Sequence, residues 1–459
     1  HFDKCLAEKR LTPSNLLHFG VGKKGEAIPR LFRGLTLRVF DRNGQLKDQV
    51  DPHAVRWLRQ LLGVVRKLRL PCGVKDSGNA VRDFYRTDLG VRRGSLSWDN
   101  HVAFSGESEA NGTSFTDAAG PPALVDDLFL GRTPSPGRDF VSLLDMVQRV
   151  ADLVSSSLGV FDPHAWSLRH GPGAVADQVV GTDKYQFPHW SVRLEDSFPL
   201  ADFAYANYAC VELESVESAR SRGFTLLEPP ARLCAVPKTI KTPRLIACEP
   251  VSLQWCQQAL RDYFYRRVSQ TVFSQFVDFR RQDKNGSLAL RASLDGAHST
   301  IYLSSASDRI SCWHVERLFR RSPALLRALQ ATRSVWLRQD ICRYSPQYHY
   351  LRKYSTMGNA TTFPVQSLFF MVLSIACVLH ARGLKVTLKN VKELGESQVR
   401  VFGDDIIVPS DVSGLLVGLL ESLELRVNIH KTFTVGNFRE SCGVDAFQGH
   451  DVTSVSILE

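Results

Sequence analysis

Two adjacent carboxylates, Asp404 and Asp405, follow Phe402-Gly403 and stand between two apolar runs, Val399–Phe402 and Ile406–Val408. β-rich runs on either side of a Gly-Asp step predict a tight hairpin with both acids at its tip. A bound divalent cation would relieve their repulsion, and an oxygen-only donor set suits Mg²⁺ or Mn²⁺. The chemistry open to such a tip is phosphoryl transfer on nucleic acid. Read alone, the same residues also fit a solvated turn.

Two further stretches offer groups for a nucleotide. Val236-Pro237-Lys238-Thr239-Ile240-Lys241-Thr242-Pro243-Arg244 sets three cations on an alternating, proline-stiffened ribbon. Spaced positive charges of this kind suit a triphosphate, and a solvated basic loop has the same composition. Ser355-Thr356-Met357-Gly358-Asn359-Ala360-Thr361-Thr362 combines a glycine with small hydrogen-bonding side chains. Gly358 lacks a Cβ and can take positive φ, so this loop can come close to a nucleotide sugar. It equally fits a helix N-terminus capped by Thr361 or Thr362. Arg169-His170-Gly171-Pro172-Gly173-Ala174 reads as a rigid turn without a chemical role, and Gly20–Gly25 fails the spacing of a phosphate loop.

The elements that must position these groups read as strands interleaved with helices. From about Arg291 onward we expect β runs at Thr300–Leu303, Lys385–Leu388, Val399–Val408 and Arg426–Asn428, and helices at Pro364–Ala381 and Val412–Leu423. This implies a layered sheet with helices packed on it. Val55–Leu70 suits an amphipathic helix with a basic face, either solvated or in contact with RNA. Gly106–Pro122 and Gly131–Gly137 read as loops. The apolar run Leu368–Leu379 is too short for a bilayer of ~30 Å, which needs about 20 residues, and is expected as a buried core helix.

Bulk composition sets the frame. The 459 residues are 44% hydrophobic and 23% charged, as in an ordinary folded protein with room for more than one subdomain. The 57 Lys+Arg against 47 Asp+Glu leave a net charge of +10, which favours a polyanionic partner. Ten cysteines without a Cys-x-x-Cys pair argue for reduced thiols rather than zinc or a disulfide framework. No charged-then-apolar leader follows His1.

The order of segments carries a resemblance that no single one does. The basic ribbon, Ser304-Ser305-Ala306-Ser307-Asp308, Met357-Gly358-Asn359, the Gly-Asp-Asp hairpin, Lys431-Thr432-Phe433 and Phe438-Arg439-Glu440-Ser441-Cys442-Gly443 closely resemble the replicase subunit of small single-stranded RNA bacteriophages. His170-Gly171-Pro172-Gly173 fits too, and the resemblance covers roughly residues 160–455. It implies an α+β, right-handed polymerase fold of fingers, palm and partial thumb, with an antiparallel palm sheet flanked by helices. The divisions expected are 1–135 for the N-terminal region and outer fingers, 136–290 for fingers with the basic ribbon, 291–435 for palm with a fingers insertion near 340–360, and 436–459 for the start of the thumb side. Such chains continue into thumb sequence, so a portion beyond Glu459 is expected.

The resemblance also implies roles. Asp404 and Asp405 would hold two Mg²⁺ or Mn²⁺ ions. Lys238, Lys241 and Arg244 would steer the incoming triphosphate, with Ser355, Gly358 and Asn359 in the nucleotide loop. Asp308 and Asn359 would sense the ribose 2′-hydroxyl, which speaks against a reverse transcriptase. Lys431 would protonate the departing pyrophosphate. RNA template and nucleoside triphosphates are the implied substrates. Elongation factors Tu and Ts and a small-subunit ribosomal protein are the implied partners, in the cytoplasm of a bacterial host and away from membrane.

One position departs from the pattern. The family has an aspartate six residues before Asp308, where this chain has Tyr302. In the alternation of Ile301, Tyr302 and Leu303, the tyrosine faces away from its neighbours, toward the expected site. A phenol with a pKa of about 10 is a poor metal ligand. The expectation is a polymerase fold with greatly reduced synthesis; the alternatives are a catalytically inactive RNA-binding relative, compensation by Asp308 or Asp405, or a single altered codon.

Overall fold

The structure, a computed structural model, describes residues 2–11, 27–64, 68, 70, 72–99, 107–119, 138–185, 187, 189–204, 228–239 and 242–457. It is mixed helix and sheet, compatible with the α+β expectation. Three small sheets organise it. The first orders β3 (His298–Tyr302), β7 (Asp405–Pro409) and β6 (Arg400–Phe402), all antiparallel, with Tyr302 opposite Asp405 and Asp405 opposite Phe402. Cross-strand partners share a face, so Tyr302, Asp405 and Phe402 stand together, while Ile301, Ile406 and Val401 point into the core beneath.

That core is built on the helix Thr362–Ala381. It is apolar all round, which predicts burial on all sides, and from Val365 to Leu379 every residue is buried. The hydroxyls of Ser367 and Ser374 donate back to the carbonyls of Phe363 (2.7 Å) and Phe370 (2.8 Å), which satisfies both buried serines within the helix. By length and composition the helix could cross a membrane, but protein surrounds it. The helix Arg138–Leu158 packs along it, tying residues of the expected fingers segment into the same core as the first sheet. Thr361 stands at the N-cap without capping, because its hydroxyl is turned to Asn359 and Tyr354.

The second sheet orders β2 (Arg244–Cys248), β1 (Ala231–Val236), β4 (Trp336–Arg338) and β5 (Tyr348–Tyr350). β1 and β2 form a hairpin in which Val236 faces Arg244, and Lys238 follows the end of β1. The helix Val74–Leu89 covers one face, packing Val81, Phe84 and Tyr85 onto Ala231, Leu233, Leu245, Ala247 and Leu337.

The third sheet, β8 (Phe438–Ser441), β9 (Val444–Phe447) and β10 (His450–Asp451), closes a separate core with the helices Phe2–Ala7, Arg33–Val39 and Pro52–Gly63. The last of these starts at Pro52, with Asp51 capping the His53 amide (2.9 Å). Arg59 corrects the expected basic face: it is buried, paired with Asp3 (2.8 Å) and Asp445 (2.9 Å). Residues 65–67 and 69 of the expected helix lie outside the described residues.

Three other local expectations fail. Lys385–Leu388 alternates like a strand but finds no partner; Thr387 instead caps the helix Leu388–Leu394 through the Asn390 amide. Arg426–Asn428 makes only an isolated bridge between Val427 and Leu303. Within the expected loop Gly106–Pro122, Glu107–Gly112 is a short helix and Phe115–Ala119 a 3₁₀ turn anchored by the Phe115 ring in the main core. Residues 120–137 lie outside the described residues.

Candidate active site

The hairpin between β6 and β7 turns at Gly403, whose φ of +62° strains any residue with a side chain. A Cβ there would also press on the Phe363 ring at 3.2 Å and on Gln366 at 3.3 Å. The Gly403 amide donates to Ser367 Oγ (3.0 Å), fixing the tip to the buried helix. Asp404 and Asp405 are therefore held on a rigid turn and are both partly exposed.

The electrostatics are those of a crowded acidic pair. Burial, and then the charge of Asp404, push the Asp405 carboxyl up to about 7; Glu440 adds to this, while the Cys442 amide and Lys431 oppose it. Asn285 Nδ2 holds the Asp405 carbonyl at 3.4 Å, and the Cys442 thiol approaches Asp405 Oδ2 at 3.8 Å. Opposite, burial, followed by the charge of nearby Asp404 and the polar interaction with it, drives the Tyr302 pKa upward. Lys431 lies over the Tyr302 ring with its Nζ 4.5 Å from the centroid and pairs with Glu440 at 3.0 Å.

The basic turn reaches the same place. Desolvation, then the charges of Arg244 and Lys431, hold the Lys238 ammonium below its ordinary value, with Asp404 pulling the other way. Lys238, Arg244, Lys431 and the acidic pair thus form one electrostatic group. Lys241 lies outside the described residues.

The nucleotide loop is pinned to this group by backbone. Met357 O accepts from the Ala247 amide (2.7 Å), and a Cβ on Gly358 would fall 1.8 Å from the Ala247 carbonyl. The close approach that requires glycine is therefore to β2, the strand Arg244 begins. Asp308 and Asn359 have separate partners. Asp308 accepts from buried Lys353 (2.7 Å), whose Nζ also sits 3.4 Å from the Phe84 ring centroid. Asn359 Oδ1 accepts from the Thr361 amide and hydroxyl, and Ser355 Oγ meets Thr362 Oγ1 at 2.8 Å. With its carboxylate on Lys353, Asp308 is not placed to stand in for a ligand at position 302.

Sequence reasoning missed three partners. Glu440 was quoted within Phe438–Gly443 without a role, although as the only acid of that stretch it was the natural mate for Lys431. Lys353 gave no local signal. Buried Glu249, held by Ser334 (2.5 Å), Gln257 (3.3 Å) and Thr356 (3.3 Å), ties β2 to the nucleotide loop.

The donor set can be tested against the expected metal. Among the described residues no three His, Cys, Asp or Glu side chains are grouped to hold an ion. Mg²⁺ is commonly held by one or two carboxylates, with water and phosphate completing its shell. Asp404 and Asp405, hard oxygen donors destabilised by each other, fit one such ion; a third carboxylate is absent where Tyr302 stands.

Comparison with known proteins identifies the family. The profile of the family described as RNA replicase, beta-chain matches residues 147–458. The RNA-directed RNA polymerase subunit beta of Qbeta virus (strain MX1) is 36% identical over 298 residues, covering 64% of this chain and 46% of that protein. The RNA-directed RNA polymerase beta chains of Enterobacteria phage fr and Escherichia phage MS2 are 34% and 32% identical, each over 219 residues covering 47% of this chain and 36% of theirs. The matched region thus spans less than half the length of these relatives. With the profile extending over most of its length, the chain belongs to the RNA replicase beta-chain family.

Proposed function

We propose that this chain is the fingers-and-palm part of an RNA-directed RNA polymerase that copies a viral genome from RNA. The observation that carries this is the acidic pair Asp404–Asp405 on the β6–β7 hairpin, with Lys431 and Lys238 near enough to feel its charge and Arg244 near Lys238. In this reading β3, β7 and β6 are the palm sheet of segment 291–435. The β1–β2 hairpin belongs to the fingers of 136–290, joined by β4 and β5 from the insertion near 340–360. Residues 1–135 belong with the outer fingers and 436–459 with the thumb side.

Asp404 and Asp405 would hold Mg²⁺ or Mn²⁺, which when bound stabilises negative charge on the attacking and leaving oxygens. Lys238 and Arg244 orient the triphosphate so that its α-phosphate faces the 3′-hydroxyl of the growing strand. That oxygen loses its proton to solvent and forms the new P–O bond, the bond to pyrophosphate breaks, and Lys431, kept in place by Glu440, gives a proton to the leaving group. Asn359 and Asp308, each fixed by its own partner, select the ribose 2′-hydroxyl. Elongation factors Tu and Ts and a small-subunit ribosomal protein are the proposed host partners, in the bacterial cytoplasm.

Tyr302 favours a second reading, an RNA-binding relative with little synthesis, because it stands opposite Asp405 and near Asp404, where a third carboxylate is expected. The deciding experiment is Mg²⁺- or Mn²⁺-dependent nucleotide incorporation on an RNA template, with host factors supplied, for the chain and for Tyr302→Asp. We expect incorporation to rise at least about tenfold in the variant, the scale of one lost charge-stabilising group. Equal rates would mean that position 302 carries no ligand role, and silence in both would favour the RNA-binding reading.

A further inference from the structure

We infer that the open face of the β2-β1-β4-β5 sheet is a stacking platform for single-stranded RNA, leading a strand toward the Asp404–Asp405 tip. The inference rests on the replicase reading above and adds to it where the strand lies.

The registers assemble the face. Arg232 of β1 pairs with Arg338 of β4, Arg338 with Tyr348 of β5, and Trp336 with Tyr350, so these five side chains share one side of the sheet. Val236 opposite Arg244 extends the same side to the basic turn. The other side is buried under the helix Val74–Leu89, but this one is open: Trp336 is 45% exposed, Tyr348 52% and Tyr350 38%. The Trp336 and Tyr350 rings meet edge to face at 5.3 Å, which fixes their orientation while leaving them accessible. Three clustered exposed aromatic rings are an expense in water that a folded protein seldom carries without a ligand to cover them.

Charge selects the class of ligand. No strand position on this face is acidic, and arginines alternate with the rings. Arg338 has an acid at the rim, Asp340 at 3.3 Å; among the described residues Arg232 and Arg244 are not ion-paired. Trp, Tyr and Arg are also enriched at protein interfaces, so the choice rests on the strands carrying no acid and on their running into the basic turn. Rings interleaved with guanidinium groups in that setting suit a chain whose bases stack and whose phosphates need cations. The face is continuous with Arg244, and through it with Lys238 beside Asp404. Paired RNA hides its base faces and would be bound less well.

The test is fluorescence anisotropy of a short fluorescein-labelled oligouridylate on the full chain, without nucleotides or divalent metal. We expect Trp336→Ala to weaken binding by about 5- to 150-fold, the range of one base–aromatic stack. Trp336→Phe should recover most of it, and Arg338→Ala should lower the log–log salt slope by about 1. Unchanged affinity in Trp336→Ala and Tyr350→Ala, with unfolding midpoints preserved, would overturn the inference and leave the face to a protein partner. So would equal competition by duplex RNA. The two readings separate cleanly: loss of affinity in Trp336→Ala with no incorporation in Tyr302→Asp retains the platform and removes the copying activity, whereas incorporation with unaltered affinity removes the platform alone.

Discussion

Lys353 is fully buried, and the Asp308 carboxylate and the face of Phe84 are what its ammonium meets there. A buried pair of this kind is costly to break on one side because the remaining charge cannot be resolvated. Lys353→Met should therefore destabilise the chain by about 3–5 kcal/mol, read as a shift in urea midpoint, and adding Asp308→Leu should recover much of that. The acids and cations of the site were legible as residue types at suggestive spacings. The mate of Asp308 was not, because Lys353 reaches it across 45 residues; Glu440, the only acid of its stretch, stood closer to Lys431 in the chain, 9 residues on. Spacing along a chain encodes a hairpin tip; it does not encode which side chain arrives from another layer. Tyr302 was legible on both counts, as a departure in type and, through strand alternation, in facing the site.

At the scale of elements, the long apolar helix and the Gly-Asp hairpin followed from periodicity because one is apolar on every side and the other has β runs flanking a turn glycine. Lys385–Leu388 misled because alternation is necessary for a strand but a partner edge decides it, and Thr387 found a helix to cap instead. Gly358 was recognised as a close-approach position, and the backbone of β2 is what a side chain there would meet. The helix Cys312–Phe319 offers a pH test. Its His314 accepts the Ser311 amide at Nδ1 (3.0 Å) and donates from Nε2 to the Leu423 carbonyl (3.2 Å), an arrangement that requires the neutral ring. Burial brings its pKa down to about 3. Below the unfolded value of about 6.5 the unfolded chain takes up the proton that the folded chain refuses. Stability from this group is complete above that value and is lost as pH falls toward 3, by up to about 1.4 kcal/mol per unit. Urea midpoints between pH 6.5 and 5 should fall, and more shallowly in His314→Gln.

For the whole molecule, the two largest cores among the described residues differ in their wiring. The main core is assembled largely from residues 138–427, whereas the second joins helices within residues 2–63 to strands within 438–452. Arg59, bonded to Asp3, Asp445 and the Val452 carbonyl, is its clasp. Arg59→Met should cost about 3–5 kcal/mol, and hydrogen exchange should show the loss concentrated in β8–β10 and the Phe2–Ala7 helix. None of this closure was legible locally, since a basic amphipathic helix reads the same whether its arginine meets solvent or two distant acids. It also sets a schedule for synthesis. At about 5–20 residues per second, the apolar faces around Phe40, Val55 and Leu58 leave the ribosome roughly 20–80 s before Phe447 and Val452 exist to cover them. During that interval they are clients for any chaperone within reach, and the last strands to be translated end the wait.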